Sequence, residues 1–115
     1  MGSVPRNRRP ITPGAVLRED FLETLGISQG SFASALDVDR TTINEIINER
    51  RSITPEMALR LSHALRTTPE YWLNLQVTVD LYDALHSPIA RHVEQLEVLV
   101  PARPKASKLG REAKT

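Results

Sequence analysis

The 115-residue chain has no cysteine, which excludes disulfide staples and thiolate metal sites. No apolar run approaches the roughly 18 residues needed to span a bilayer, and the first residues contain no apolar signal region. A soluble, cytoplasmic protein without a membrane partner is the expectation. Five glycines are scattered singly, so there is no glycine-rich phosphate loop. The three histidines, His63, His86 and His92, have no spacing typical of zinc proteins. Asp80, Asp83 and His86 share a helix face, but one helix supplies three ligands with poor geometry. Carboxylate neighbours such as Glu19 and Asp20 read as solvating charges rather than an acid–base pair. Neither enzymatic activity nor a cofactor or metal is expected.

Charge is present but unevenly placed. The formal net charge is +1, yet Arg6, Arg8 and Arg9 give residues 1–10 a charge of +3. Residues 101–115 carry +4, leaving −6 on residues 11–100. Most non-specific affinity for nucleic acid comes from lysine and arginine displacing counterions. An acidic body therefore either binds nucleic acid weakly by itself or is assisted by its ends. The sequence divides into a flexible arm (1–11), one domain (12–100) and a basic disordered tail (101–115). An arginine-rich arm has the chemistry to enter a minor groove, although a solvated tail has the same composition.

The most informative stretch runs from Ser28 to Asn48. Ser28 and Asp39 are placed to cap two short helices, since each offers a side-chain acceptor to the free amides of a first turn. Phe32, Ala33 and Leu36 form one apolar face; Ile43, Ile46 and Ile47 form the facing one, with Val38 in the turn. The small Ala33 permits close approach of two steeply crossed helices. This is the spacing of a helix-turn-helix. Arg40, Thr41, Asn44, Glu45 and Asn48 remain on the outer face of the second helix. Arginine and asparagine make paired hydrogen bonds to base edges, and threonine reaches bases or phosphates, so this face has the chemistry of a major-groove reader. A helical hairpin with a merely solvated polar face has the same pattern.

One punctuation recurs along the chain. Thr12-Pro13, Thr54-Pro55-Glu56 and Thr68-Pro69-Glu70 each combine a capping threonine with a proline tolerated at the first helical position. Val16 or Leu17, then Phe21, Leu22 and Leu25, predict a first helix closed by Gly26. Met57, Ala58, Leu61, Ala64 and Leu65 predict the inner face of a fourth. The fifth helix carries two stripes: Trp72, Leu75, Val79 and Tyr82 form one, and Leu73, Val77, Leu81 and Leu85 the other. A surface helix needs only one such stripe for its own core. The second predicts a homodimer seam, a cover formed by the chain after Ser87-Pro88 folding back over it, or both. Ile89, Val93 and Leu96 suit a short helix there, whereas Leu96, Val98 and Val100 alternate as a strand would. The fold class expected is all-α, with five helices over residues 12 to about 86 and a short C-terminal extension.

The runs ITPGAVLREDFLETLGIS, RRSITPEMALRLSHAL and TTPEYWLNLQVTVDLY resemble the HigA antitoxins, also called the VapI-type group, of bacterial toxin–antitoxin modules. Pro13-Gly14, Thr54-Pro55-Glu56-Met57-Ala58 and Trp72-Leu73-Asn74-Leu75-Gln76 are specific as a set, and the likeness spans roughly residues 11 to 86. The resemblance implies a five-helix domain similar to the lambda-repressor and Xre class, usually a homodimer. It further implies binding to a palindromic operator, repression of the protein's own operon, and neutralisation of a HigB-like toxin, a RelE-like ribonuclease that cuts messenger RNA. By position, Gln29 would contact the phosphate backbone, while Arg40, Thr41, Asn44 and Glu45 would face the groove. Asp37 stands at a turn position where such motifs usually have glycine. The stretch Ser28–Arg51 has a net charge of −1, against non-specific binding, although Glu45 can accept a hydrogen bond from a cytosine amino group. Two other functions fit the same residues: a solitary Xre-type repressor without a toxin, and a protein-interaction module that has lost DNA binding.

Overall fold

The computed structural model describes residues 8–102. The first seven residues of the expected arm, and the expected tail from 103 onward, lie outside the described residues. Helix α1 begins at Pro13–Val16, continues through a wider-wound stretch Leu17–Leu22, and ends in Glu23–Leu25. It is followed by α2 (Gln29–Leu36), α3 (Arg40–Ile47), α4 (Pro55–Leu65), α5 (Pro69–Leu85) and α6 (Pro88–Glu94). The fold is all-α and lambda-repressor-like, with one more helix than the five expected. No strand occurs among the described residues.

Local chemistry sets most helix starts. Thr12, Ser28, Thr54 and Thr68 have extended backbones, and each side-chain oxygen accepts from the amide three residues on, at 3.0 to 3.2 Å. Asp39 is the exception. Its backbone is extended as a cap requires, but its carboxylate accepts no capping bond; the Thr42 amide bonds the Asp39 carbonyl instead, at 3.0 Å.

Gly26 closes α1 in the left-handed conformation (φ 68°, ψ 34°), and the Ile27 amide returns to the Leu22 carbonyl at 3.0 Å. The reversal turns Ile27 onto the core and leaves Leu25 exposed, contrary to the expected stripe. This is the hydrophobic contact that follows such a cap. Within α1 the Glu23 amide bonds the Arg18 carbonyl five residues back, and the Thr24 hydroxyl donates to the Glu19 carbonyl at 3.2 Å. A π-type turn of this kind widens the helix. Both Val16 and Leu17 are buried.

The core is one cluster, with Leu17, Ile43, Leu61 and Trp72 at its centre. Trp72 is fully buried, and its indole N–H donates to Thr67 Oγ1 at 2.7 Å. Phe21 lies with its ring centroid 5.7 Å away and Tyr71 meets it edge-on at 5.2 Å. Burial of a ring this size, with its polar handle satisfied, is worth about 3–5 kcal/mol. It joins α1 to α5 and so fixes the frame around the helix-turn-helix. On α4, Met57, Ala58 and Leu61 point inward as expected, but Ala64 is exposed and Ser62 is buried in its place. The Ser62 hydroxyl donates to the Leu59 carbonyl at 3.0 Å, which makes that burial tolerable.

Both expected stripes of α5 are present with different fates. Trp72 and Val79 are buried, with Leu75 and Tyr82 partly so. Val77, Leu81 and Leu85 are more than half exposed, while Leu73 packs partly on the core. The chain beyond Ser87 forms α6 against the end of α5 without covering that outer row. Ile89, Val93 and Leu96 remain exposed, and residues 97–100 find no strand partner among the described residues.

Candidate nucleic-acid interface

Helix α3 is divided by burial. Ile43 and Ile46 are inside, whereas Arg40, Thr41, Asn44 and Asn48 are exposed and Glu45 is half-buried. Hydrophobic residues three apart lock one side, which leaves the residues between them facing outward. Gly14 explains how closely this helix is held. A Cβ on Gly14 would overlap the Ile46 carbonyl oxygen and stand 2.8 Å from Ile47 Cα. The first turn of α1 thus rests directly on the backbone at the end of α3.

The outer side chains differ in how much of their hydrogen-bonding capacity is already taken. Asn44 Nδ2 donates to Gln29 Oε1 at 3.2 Å, so the first residue of α2 and the middle of α3 are linked through their amides. Gln29 Nε2 and the Asn44 side-chain oxygen Oδ1 take part in no hydrogen bond among the described residues. Arg40 runs past Gly30, its Cδ 3.8 Å from where a Cβ on that glycine would stand. Its guanidinium forms no hydrogen bond or ion pair among the described residues. Asn48 caps α3: its amide side chain and its own N–H both donate to the Asn44 carbonyl, at 3.0 Å each.

Glu45 is the least available of the expected set. Its Oε1 accepts from Arg51 Nε at 2.8 Å and Nη2 at 2.7 Å. The pair uses one carboxylate oxygen and leaves Glu45 Oε2 as an acceptor, while two of the three guanidinium nitrogens of Arg51 are committed. The sequence did not reveal this pairing, because the five intervening residues include a helix end and a left-handed residue, Glu49 (φ 62°).

Beyond the end of α3, Arg9 ties three parts of the chain together. It donates from Nη1 to Glu49 Oε1 at 2.6 Å, and from Nε and Nη2 to the two oxygens of Asp83 on α5, at 2.8 and 2.9 Å. These bonds from Arg9 lower the Asp83 pKa, and the two carboxylates hold the guanidinium firmly charged. Next to this cluster the Ile53 amide donates to Gln76 Oε1 at 2.9 Å, and Gln76 Nε2 donates to Asp80. The loop leaving α3 is thereby fastened to α5. His86, considered with Asp80 and Asp83 as a ligand set, stacks on Tyr82 at 4.0 Å, while Asp83 is held by Arg9.

The arrangement presents a fork of guanidinium donors, a hydroxyl and a fixed amide pair on a projecting helix of a rigid core. Those groups match the donor and acceptor patterns of base edges and phosphates.

Comparison with known proteins agrees with this geometry. A helix-turn-helix family matches residues 19–72. A Haemophilus influenzae protein named an uncharacterized HTH-type transcriptional regulator is 45% identical over 80 residues, covering 70% of this chain and 75% of that protein. A Vibrio cholerae protein named antitoxin HigA-1 is 38% identical over 94 residues, covering 82% of this chain and 85% of that one. The solved structure of antitoxin GraA in complex with its operator superposes with a TM-score of 0.74 at 41% identity, covering 86% of this chain and 100% of that one. With the outer face of α3, the Thr-Pro-Glu caps and the buried Trp72 all in place, the chain belongs to the HigA antitoxin family of helix-turn-helix proteins.

Proposed function

We propose that this protein is the antitoxin of a HigBA-type toxin–antitoxin module. It is a homodimer that binds a palindromic operator, represses its own operon and neutralises a RelE-like, mRNA-cleaving toxin. The observation that carries the reading is the split of α3, with Ile43 and Ile46 inside and Arg40, Thr41 and Asn44 outside. The relatives named HigA-1 and GraA, the latter solved with its operator, support it.

In this reading Arg40 and Asn44 read base edges, Thr41 contacts a base or phosphate, and Gln29 anchors the start of α2 to the backbone. Asn48 holds the end of α3, and Glu45 faces the groove with its Oε1 paired to Arg51. The outer row Val77, Leu81 and Leu85, with Leu73 at its margin, seats the second copy. The two-fold axis then spaces the half-sites by about one helical turn, roughly 34–36 Å. Arg6 and Arg8 in the arm and the basic tail offset the acidic body during encounter with DNA.

The test is co-expression with the product of the adjacent reading frame, followed by copurification and footprinting on the shared promoter. Copurification of a short basic protein and protection of two symmetric half-sites is the expected result. Protection without a copurifying partner supports the second reading, a solitary regulator. A partner without protection would leave an interaction module that has lost DNA binding.

A further inference from the structure

Asp37 is the left-handed residue of the helix-turn-helix turn, at φ 58° and ψ 47°. An L-residue is strained there because its Cβ crowds the backbone, whereas glycine adopts the conformation freely. The exposed Asp37 carboxylate makes no compensating hydrogen bond among the described residues. The turn is nonetheless closed: the Asp37 amide bonds the Ser34 carbonyl at 3.1 Å, and the Val38 amide bonds that of Ala33 at 3.0 Å. Among the described residues no backbone amide donates to the carbonyls of Leu36 and Asp37, as is usual where a helix ends.

Arg60, more than twenty residues further on, supplies what they lack. Its Nη1 donates to the Leu36 oxygen at 2.6 Å and to that of Asp37 at 3.4 Å. Its Nη2 is held by Glu56 one turn earlier on α4, at 2.8 Å, so the guanidinium is oriented from behind. The side chain is two-thirds buried, with 33% exposure, which limits competition from water. A cation here also faces the negative end of α2. Arg60 belongs to the same helix as the core residues Ala58 and Leu61. The turn is therefore braced against the rigid part of the fold.

We infer that Arg60 is the positioning residue of the helix-turn-helix: it holds Asp37 in the conformation glycine would take, and so sets the direction in which α3 leaves α2. It touches none of the groups assigned to DNA. Its effect is on how Arg40, Thr41 and Asn44 stand relative to Gln29. The consequence for binding rests on the proposed DNA reading; the consequence for the turn does not.

Both are tested with Arg60→Met, Arg60→Lys, Asp37→Gly and the Arg60→Met/Asp37→Gly double variant. In the DNA-free protein, Arg60→Met should speed amide exchange at Asp37 and Val38 by about tenfold or more while Leu61 and Trp72 keep their protection. Adding Asp37→Gly should restore most of it, because the strain that Arg60 opposed is gone. Lysine should rescue only in part, since one ammonium cannot reproduce the fork. On a duplex that the parent protein selects from a random pool, Arg60→Met should lower the ratio of specific to non-specific affinity about tenfold with little change in salt slope, and Asp37→Gly should recover it. Exchange rising equally across the core, or no rescue by Asp37→Gly, would overturn the inference. A parent that selects no duplex would overturn the DNA reading, while the exchange measurements still decide the role of Arg60.

Discussion

Asn44 and Gln29 share one hydrogen bond, Nδ2 to Oε1 at 3.2 Å, across the two helices of the motif. Neither side chain is therefore an independent contact. Removing either one frees the other to rotate, so Gln29→Ala and Asn44→Ala should be non-additive in their cost to binding. A double-mutant cycle on a parent-selected duplex should give a coupling energy of about 0.5–3 kcal/mol. Strict additivity would show that the pair does not persist on DNA.

Arg40 has no partner of its own among the described residues, so its loss should leave the fold untouched. Arg40→Ala is expected to weaken specific binding by about 1–3 kcal/mol with an unchanged melting curve. A gel shift equal to the parent's would remove Arg40 from the contact set.

Glu45 occupies Arg51 at 2.7 and 2.8 Å. Glu45→Gln weakens that hold and removes a negative charge beside the groove face. The slope of log affinity against log salt should steepen by about one phosphate contact. A loss of discrimination at a single cytosine, with no change in slope, would instead assign Glu45 to direct readout.

Gly14 lies against the backbone of Ile46 and Ile47 with no space for a methyl group. Gly14→Ala must push α1 away from α3, at a cost of about 1–3 kcal/mol. Urea unfolding reads this as a lower midpoint at constant m-value. A midpoint equal to the parent's would mean that the two helices separate freely.

The Asp83 pKa is lowered, chiefly by the bonds from Arg9. A carboxylate with a depressed folded-state value stabilises the fold at pH above its ordinary pKa, near 3.9, and loses that contribution as pH falls through the folded value. The side-chain carboxyl resonance of Asp83 should therefore titrate below the ordinary midpoint, and Arg9→Gln should return it upward. Because the pair is exposed, the change in overall stability should be small. A normal midpoint in the parent would mean that Arg9 does not hold Asp83 in solution.

Features that depend on neighbours in sequence were the legible ones. Thr12, Ser28, Thr54 and Thr68 each cap an amide three residues away, and the burial of Phe32, Leu36, Ile43 and Ile46 follows from helical spacing. Asp39 looked the same in sequence, yet its carboxylate takes no cap bond, because residue type permits such a bond without compelling it. Leu25 and Ala64 are exposed despite their helical spacing, because near a helix end a periodic pattern no longer says which residue turns inward. Arg9–Asp83, Ile53–Gln76 and Arg60–Leu36 join residues 74, 23 and 24 positions apart. Their geometry exists only after the core has formed, so no local pattern announces it.

Val77, Leu81 and Leu85 stand in the open along α5, with Ile89 and Val93 exposed on the next helix. In the proposed homodimer the second copy releases the water lying over them, and thermal resistance then becomes a property of the solution as well as of the sequence. Melting temperatures should then rise on concentrating the sample, and a value independent of concentration would leave this row without a second copy.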